Sequence, residues 1–270
     1  MLQQKTLQTT GTISKLFYCL GMAGMGIQHY IYADSRPVIL PPLPAWLHAS
    51  PVIAYLTGAV LIIASIFIFF KKKDRFASLL SGGFLLLVFI ALQCPYILFI
   101  QPNSPKHLGL WTDPLKELAL AGGAFVMAGL SKDETNNLSF KFLEKLIPAG
   151  RIFFSITMLL FGLDHFYYTD FVATLVPAWI PGHTFWTYFA GIALMGSAIA
   201  IILKIWTTTV ALLLSFMLFI WFLILHIPRA VADPYSGNGN EVTSVFQALA
   251  FSGIALGISI LYDKGKFKLD

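Results

Sequence analysis

Long apolar runs separated by short polar segments make up most of the chain. Eight runs lie at about 15–33, 52–70, 76–99, 115–130, 150–168, 185–203, 207–226 and 244–262. A hydrocarbon layer of about 30 Å requires about 20 apolar residues for one helical crossing. The runs also lack the alternating period of a membrane-spanning strand. The pattern therefore predicts an all-α integral membrane protein with eight transmembrane helices.

The composition excludes several classes of protein. Of the 270 residues, 57% are hydrophobic and 11% are charged, and the mean hydropathy is +0.75. Soluble domains carry about 25% charged residues, and a soluble surface this apolar would aggregate. A cytosolic enzyme, a disordered tail and a nucleic-acid-binding module are therefore excluded, and the lipid bilayer is the expected partner.

The positions of the basic residues predict the orientation of the chain in the membrane. With the N-terminus in the cytoplasm, 14 of the 18 Lys and Arg residues fall in inner segments and four fall in outer segments. Cytoplasmic segments of membrane proteins carry an excess of Lys and Arg. We therefore expect both termini to face the cytoplasm.

The two halves of the sequence match each other at an ordered series of positions. Residues 28–32 align with residues 164–168, and the Pro-Ala-Trp motif at 44–46 aligns with the one at 177–179. The later matches pair Tyr55, Gly58, Leu92 and Pro95 with Tyr188, Gly191, Leu225 and Pro228. After a small shift, Thr112, Leu118, Ala119 and Gly122 match Thr243, Leu249, Ala250 and Gly253. An ordered series of this kind is not easily a product of chance.

These matches predict two repeats of four helices each. Because four is an even number, both repeats insert in the same direction and are related by an axis along the membrane normal. We assign residues 1–130 to the first repeat and residues 150–262 to the second. Residues 131–149 form a cytoplasmic linker in this assignment, and residues 263–270 form a basic cytoplasmic tail.

Several segments resemble a known family. Residues 161–166, 176–183 and 185–194 resemble the DoxX-like bacterial membrane proteins, and so do residues 111–123. The resemblance implies a tandem duplication of the four-helix DoxX-type unit, placed as a multi-pass protein in the bacterial inner membrane. Characterised relatives are similar to subunits of a thiosulfate:quinone oxidoreductase or to partners in membrane oxidoreductase assemblies. The resemblance therefore implies quinone as a cofactor and a periplasmic or membrane redox protein as a partner.

The histidines indicate that any site faces outward. In the predicted topology all six lie on the outer side: His29, His48, His107, His165, His183 and His226. Many acidic residues lie near the same boundary, whereas the inner loops carry mostly Lys. The simple alternative for any single histidine or tryptophan at this depth is an interfacial anchor.

Four residues of the second repeat are candidates for catalysis: Asp164, His165, His226 and Arg229. His226 and Arg229 share a helix face if the helix continues past Pro228. Asp164 requires a counter-charge near the lipid boundary, which Arg229 or a histidine would supply. We expect all four to converge on one outer cavity. The first repeat has Gln28 and Gln93 at the positions of Asp164 and His226, so the chemistry is expected in the second.

Four nearby residues are candidates for binding the quinone: Tyr168, Trp179, His183 and Tyr188. In such a site a histidine donates a hydrogen bond to a quinone carbonyl, and a carboxylate relays the proton. The alternative for Trp179 is an anchor in the headgroup layer. The alternative for Tyr188 is packing between the repeats.

Other chemistries have less support in the sequence. No HxxxH or HxxEH spacing indicates a metal site, so none is predicted. Paired histidines permit haem ligation, but no CxxCH attachment motif is present. Cys19 and Cys94 are expected to be packing residues.

Three functions remain open from the sequence alone, and with them the question whether the chain is an enzyme. The first is a quinone-linked membrane subunit of an outward-facing oxidoreductase. The second is a small-solute transporter built from two parallel repeats, which requires polar residues near the bilayer midplane. The third is a non-catalytic membrane scaffold.

Overall fold

A computed structural model of the protein describes residues 2–42, 51–70, 73–101, 107–131 and 141–263, and these residues contain helices and no strand. The first Pro-Ala-Trp motif, His48, residues 132–140 of the predicted linker and most of the predicted tail lie outside the described residues. The apolar runs fold as helices because a backbone in hydrocarbon must satisfy its own hydrogen bonds.

Ten α-helices account for most of the described chain. They are α1 (Leu2–Ile31), α2 (Val52–Phe69), α3 (Asp74–Val88), α4 (Thr112–Leu130), α5 (Gly150–Tyr167), α6 (Thr169–Leu175), α7 (His183–Leu203), α8 (Thr207–Trp221), α9 (Ile227–Ala232) and α10 (Asn240–Asp263). Short π-helical segments, Phe89–Gln93 and Tyr96–Ile100, extend α3, and Phe222–His226 joins α8 to α9. A helical turn at Lys141–Glu144 precedes α5.

Six helical segments are long and apolar enough to cross a membrane. They are Val52–Phe69, Asp74–Ile100, Lys141–Tyr167, His183–Leu203, Thr207–Ala232 and Ser236–Tyr262. The prediction of a multi-pass helical membrane protein is therefore confirmed. The other two predicted spans lie in α1 and α4, which are helical but are not among the six. Helix α4 begins with a charged turn and carries Asp113, Lys116 and Glu117.

Helices α4 and α10 form the centre of the bundle. Residues 117–130 of α4 and residues 247–261 of α10 are all buried. The two helices contact each other, while α4 also packs against α3 and α5 and α10 packs against α1 and α8. Large apolar side chains on the outer helices, such as Leu56, Ile63, Ile192 and Phe216, are exposed and face lipid. The chain is thus in contact with the bilayer around a buried core.

Small residues allow close approach at two of the central contacts. A Cβ atom on Gly122 of α4 would lie 2.6 Å from the backbone oxygen of Gly150 in α5. A Cβ atom on Gly253 of α10 would lie 2.8 Å from the backbone oxygen of Ser14 in α1. Helix pairs in membranes depend on such small residues because lipid provides no hydrophobic force between them.

The π-helical segments at Phe89–Gln93 and Phe222–His226 start 133 residues apart, and each is followed two residues later by a proline. Proline has no N–H to donate, and its ring collides with the carbonyl four residues earlier in an α-helix. The wider π turn accommodates Pro228, and the chain continues as α9 through Arg229. The helix therefore does continue past Pro228.

A buried ion pair connects α1 with the start of α3 and with the residue that follows α4. The Lys15 ammonium in α1 pairs with the carboxylate of Asp74, which begins α3, and the Ser131 hydroxyl after α4 donates to the same carboxylate. Nearby, the Arg75 guanidinium donates to Glu144 at 2.9 Å. These contacts position the helix ends opposite the end that holds the candidate site.

Candidate functional site

A cavity with a volume of about 390 Å³ lies between helices α5 to α10 and the first turns of α4. Its apolar part is formed by side chains such as Met158, Phe161, Leu194, Met217, Leu218 and Phe251. Its polar part is formed by Lys116, His165, His226, Arg229, Glu241 and Gln247. Pockets of about 300–1,000 Å³ with this mixture of apolar walls and few polar groups are typical of small-molecule sites.

The cationic side chains of the cavity are paired with carboxylates. Arg229 donates from Nη2 to Glu241 Oε1 at 2.6 Å and from Nε to Glu241 Oε2 at 3.0 Å. This bidentate geometry is the strong form of the arginine–carboxylate contact. Lys116 Nζ lies 3.0 Å from Asp113 Oδ1. The polar part therefore presents ion pairs and not a free positive charge.

His165 presents an unpaired ring nitrogen to the cavity. Its Nδ1 lies 2.7 Å from the backbone oxygen of Phe161, one helical turn earlier. Because a carbonyl oxygen only accepts, Nδ1 carries the proton and Nε2 of the neutral ring is an acceptor. No described residue forms a hydrogen bond with Nε2. His165 therefore offers a base or hydrogen-bond acceptor to whatever occupies the cavity.

His226 lies in the same cavity and interacts electrostatically with Glu241, Arg229 and Lys116. Its Nδ1 is buried and has no hydrogen-bond partner among the described residues. An unpaired buried polar atom is costly in a native structure and calls for an explanation such as an absent ligand or water. The cavity thus contains two histidines with a nitrogen that no described protein group satisfies.

His29 occupies the position in α1 that matches His165 in α5, but its ring is fully satisfied. Its Nδ1 lies 2.8 Å from the backbone oxygen of Met25, and its Nε2 accepts the backbone N–H of Arg36 at 3.3 Å. The side chain is completely buried. His29 therefore has no free nitrogen with which to bind a ligand.

Arg36, whose backbone N–H donates to His29, also has a buried side chain that fixes this segment. The guanidinium donates to the backbone oxygen of Asn238 and lies 4.5 Å from the centre of the Tyr32 ring. Burial lowers the pKa of Arg36 from its usual value, while Asp34 acts in the opposite direction. Arginine remains protonated in proteins, so the contact between the segments around Arg36 and Asn238 keeps its positive charge.

The structure brings three of the four catalytic candidates to one cavity and leaves the fourth outside its lining. His165, His226 and Arg229 line the cavity, whereas Asp164 does not. Consecutive residues of an α-helix point about 100° apart, so Asp164 faces away when His165 faces inward. The ion pair expected between Asp164 and Arg229 is absent, because Arg229 pairs with Glu241. Asp164 Oδ1 is buried without a hydrogen-bond partner among the described residues.

None of the four predicted quinone-binding residues lines this cavity. The Tyr168 hydroxyl accepts the backbone N–H of Gly109 at 3.1 Å, and the Trp179 side chain is 71% exposed. The His183 backbone oxygen accepts the Thr187 hydroxyl at the start of α7. The Tyr188 ring packs on Phe166, with 5.4 Å between ring centres. These four residues therefore lie outside the cavity lining, although the nearby Trp186 and Thr187 contribute to it.

The lining residues that were not among the sequence candidates include Lys116, Trp186, Trp221 and Glu241. The two tryptophans contact each other edge to face, with ring centres 6.4 Å apart. Trp221 precedes the π-helical segment that ends at His226, and a π turn bonds residues five apart. The position of Trp221 therefore depends on a π turn that the apolar pattern does not predict, and that of Glu241 depends on how α10 packs.

A metal centre is not formed by the described residues. No group of three or more His, Cys, Asp or Glu side chains among them is arranged to hold a metal ion. The arrangement instead suits an organic ligand with an aromatic or apolar body and one polar edge. Its walls supply two tryptophans and its polar part supplies histidine nitrogens and an arginine–glutamate pair.

The fold and cavity define a multi-pass helical membrane protein with an amphipathic pocket at one end of the bundle. Residues 146–227 match the model of the DoxX family. This match confirms the DoxX resemblance for the segment that contains α5 to α8, including His165 and His226. Comparisons with curated proteins and with solved structures give no match.

Proposed function

We propose that the chain is a quinone-linked membrane subunit of an outward-facing oxidoreductase, similar to thiosulfate:quinone oxidoreductase subunits, with the cavity at His165 as its quinone site. The observation that carries the proposal is the free Nε2 of His165 in a cavity with tryptophan walls and an arginine–glutamate pair. The redox partner is a periplasmic or membrane protein that exchanges electrons with the site.

The lining residues fit a quinone ring. Trp186 and Trp221 offer aromatic faces and edges for a planar ring, and Met158, Leu194 and Met217 offer apolar surface for its tail. A quinone carries two electrons and two protons between its oxidised and reduced forms. His165 Nε2 accepts a hydrogen bond, and a proton, from a ligand hydroxyl. When the ring is protonated, the same nitrogen donates to a ligand carbonyl.

The carboxylate for a proton relay is Glu241 in this proposal, in place of Asp164. Glu241 lines the cavity and is oriented by both nitrogens of Arg229. His226 interacts with Glu241 and has an unsatisfied Nδ1. In this relay a proton passes from the cavity to His226 and then to Glu241, which lies next to the loop that precedes α10.

We further propose that eight helices span the bacterial inner membrane as two parallel four-helix repeats, residues 1–130 and 150–262, with both termini in the cytoplasm. The matched π-helical segments and the matched Nδ1 contacts of His29 and His165 support this architecture. So do the close glycine pairs Gly26 with Gly58 and Gly162 with Gly191. The excess of basic residues in the inner segments supports the orientation.

A second candidate function is transport of a small solute or proton. It is favoured by one observation, the completely buried Glu117 of α4, since ionisable groups inside a membrane bundle commonly mark a transport path.

The test of the quinone site is ligand binding to the purified protein in lipid nanodiscs. A short-chain quinone or quinol is titrated while the tryptophan fluorescence of the protein, to which Trp186 and Trp221 contribute, is followed. The variant His165→Asn keeps a donor for the Phe161 oxygen but loses Nε2, and we expect its Kd to rise by about tenfold, the equivalent of one hydrogen bond of about 1.4 kcal/mol. The matched control His183→Asn lies outside the cavity and should bind as the wild type does. Equal affinity of both variants would remove the basis of the proposal.

A further inference from the structure

Glu117 is a buried carboxyl group that the quinone site does not use. It lies five residues after the start of α4, and its side chain is completely inaccessible to solvent. Neither carboxyl oxygen has a hydrogen-bond partner among the described residues. The neighbouring Lys116 is turned about 100° away on the helix, lines the cavity and pairs with Asp113. Glu117 therefore belongs to a different face of α4 and a different environment.

The groups that face Glu117 are neutral. The Gln93 side chain, at the end of the first π-helical segment, lies against it, and the thiol of Cys94 is close enough to interact. Gln93 is itself fixed, because its Nε2 donates to the backbone oxygen of Pro37 at 2.8 Å. No described Lys, Arg or His forms an ion pair with Glu117. A negative charge at this position would have no compensation.

The fold does not require a carboxyl group here. In the alignment that matches Leu118 with Leu249, the position of Glu117 corresponds to Ala248 in α10. The two central helices thus pack with glutamate in one case and alanine in the other. An isolated carboxylate in an apolar interior is strongly disfavoured, and such a group takes up a proton instead. No group of three or more His, Cys, Asp or Glu side chains among the described residues could hold a metal ion, which also disfavours a metal cation as the counter-ion.

We propose that Glu117 is a proton-binding site inside the helix bundle, occupied by a proton at neutral pH. The Gln93 amide provides a polar neighbour for the carboxylic acid, and the widened helical turn at Phe89–Gln93 places that amide beside α4. The ligand of the site is a proton and not a sodium or potassium ion. The site is separate from the quinone cavity and does not depend on a quinone being bound there.

Infrared spectroscopy of the protein in lipid at pH 7 tests the proposal. A protonated carboxylic acid has a C=O stretching band that is distinct from carboxylate bands and that shifts in deuterated water. We expect Glu117→Gln to lose one such band, and the matched control Glu241→Gln, which removes an arginine-paired carboxylate, to keep it. Asp164→Asn identifies any band from Asp164, whose Oδ1 is buried without a hydrogen-bond partner among the described residues. Loss of carboxylate absorption in Glu117→Gln, with the acid bands unchanged, would overturn the proposal.

A second measurement uses the wild-type chain, in case Glu117→Gln does not fold. Hydrophobic carbodiimides react with protonated carboxyl groups in apolar surroundings, and peptide mass spectrometry locates the adduct. We expect an adduct on Glu117 that sodium and potassium ions do not suppress. Protection by either ion would identify a cation site instead, and an adduct on Glu241 without one on Glu117 would contradict the proposal.

Discussion

The Nδ1 atoms of His29 and His165 make the same backbone contact, but among the described residues only His29 has a hydrogen-bond partner for its Nε2. In each case Nδ1 lies against the backbone oxygen four residues earlier, Met25 at 2.8 Å and Phe161 at 2.7 Å. The Arg36 backbone then donates to Nε2 of His29. No described residue does so for His165, whose ring lines the cavity. The difference supports the proposed ligand site in the second half of the chain and indicates a structural role for His29.

The arginine–glutamate pair should matter more for ligand binding than for stability. Arg229 and Glu241 are partly exposed, so their net contribution to folding is about 1 kcal/mol at most. Arg229→Lys keeps the charge but loses the bidentate contact that orients Glu241. We expect weaker quinone binding by several-fold with little change in the thermal unfolding midpoint. A large drop in that midpoint with unchanged affinity would assign the pair a purely structural role.

The buried ion pair of Lys15 and Asp74 should matter more for stability than for ligand binding. Removing one partner leaves an uncompensated buried charge, so Lys15→Met should cost about 3–5 kcal/mol of stability. The double variant Lys15→Met, Asp74→Leu should recover most of that loss, because replacing both charges is far less costly. Asp113→Asn serves as the control, since its partly exposed pair contributes about 1 kcal/mol or less. Thermal unfolding in detergent measures all three, and additive losses in the double variant would contradict the account.

The close contact between α4 and α5 should not tolerate a methyl group. Gly122→Ala places Cβ 2.6 Å from the Gly150 oxygen, and overpacking of this kind costs about 1–3 kcal/mol. Gly196→Ala is the matched control in α7, because nothing lies within 4 Å of its added Cβ. We expect a lower unfolding temperature for Gly122→Ala alone. Equal unfolding temperatures for the two variants would show that the helices separate more readily than the contact implies.

The hydrophobic pattern predicted the positions of the helices along the chain. It did not predict which side chains meet when the helices pack. The run at 150–168 corresponds closely to α5 (Gly150–Tyr167) because one stretch of apolar residues makes one helix. The π-helical segments were not predicted, since a π turn keeps the same apolar composition as an α turn. The role of Glu241 was missed because sequence places it only at the outer boundary, whereas its pairing with Arg229 depends on the packing of α10 against α9. Because the His165 side chain lines the cavity, the adjacent Asp164 lies outside its lining. This follows from helix geometry and not from residue type.

The proposed topology is tested by reporter fusions. A reporter placed after Asp270 should be active in the cytoplasm, and one inserted in residues 233–240 should be active outside, because the basic residues concentrate in the inner segments. An insertion in residues 132–140 provides a second inner position for comparison. External activity after Asp270 would overturn the eight-span assignment.

The central claim is that the cavity at His165 holds a quinone, and photoaffinity labelling tests it most directly. A short-chain quinone carrying a photoreactive tail is bound to the wild-type protein in lipid, illuminated and located by peptide mass spectrometry. The account predicts labels on cavity residues of α5, α7, α8 and α10, such as Met158, Trp186, Trp221 and Phe251, that unlabelled quinone displaces and that His165→Asn reduces. Displaceable labels confined to α1 and α2, or labels that unlabelled quinone does not displace, would contradict it.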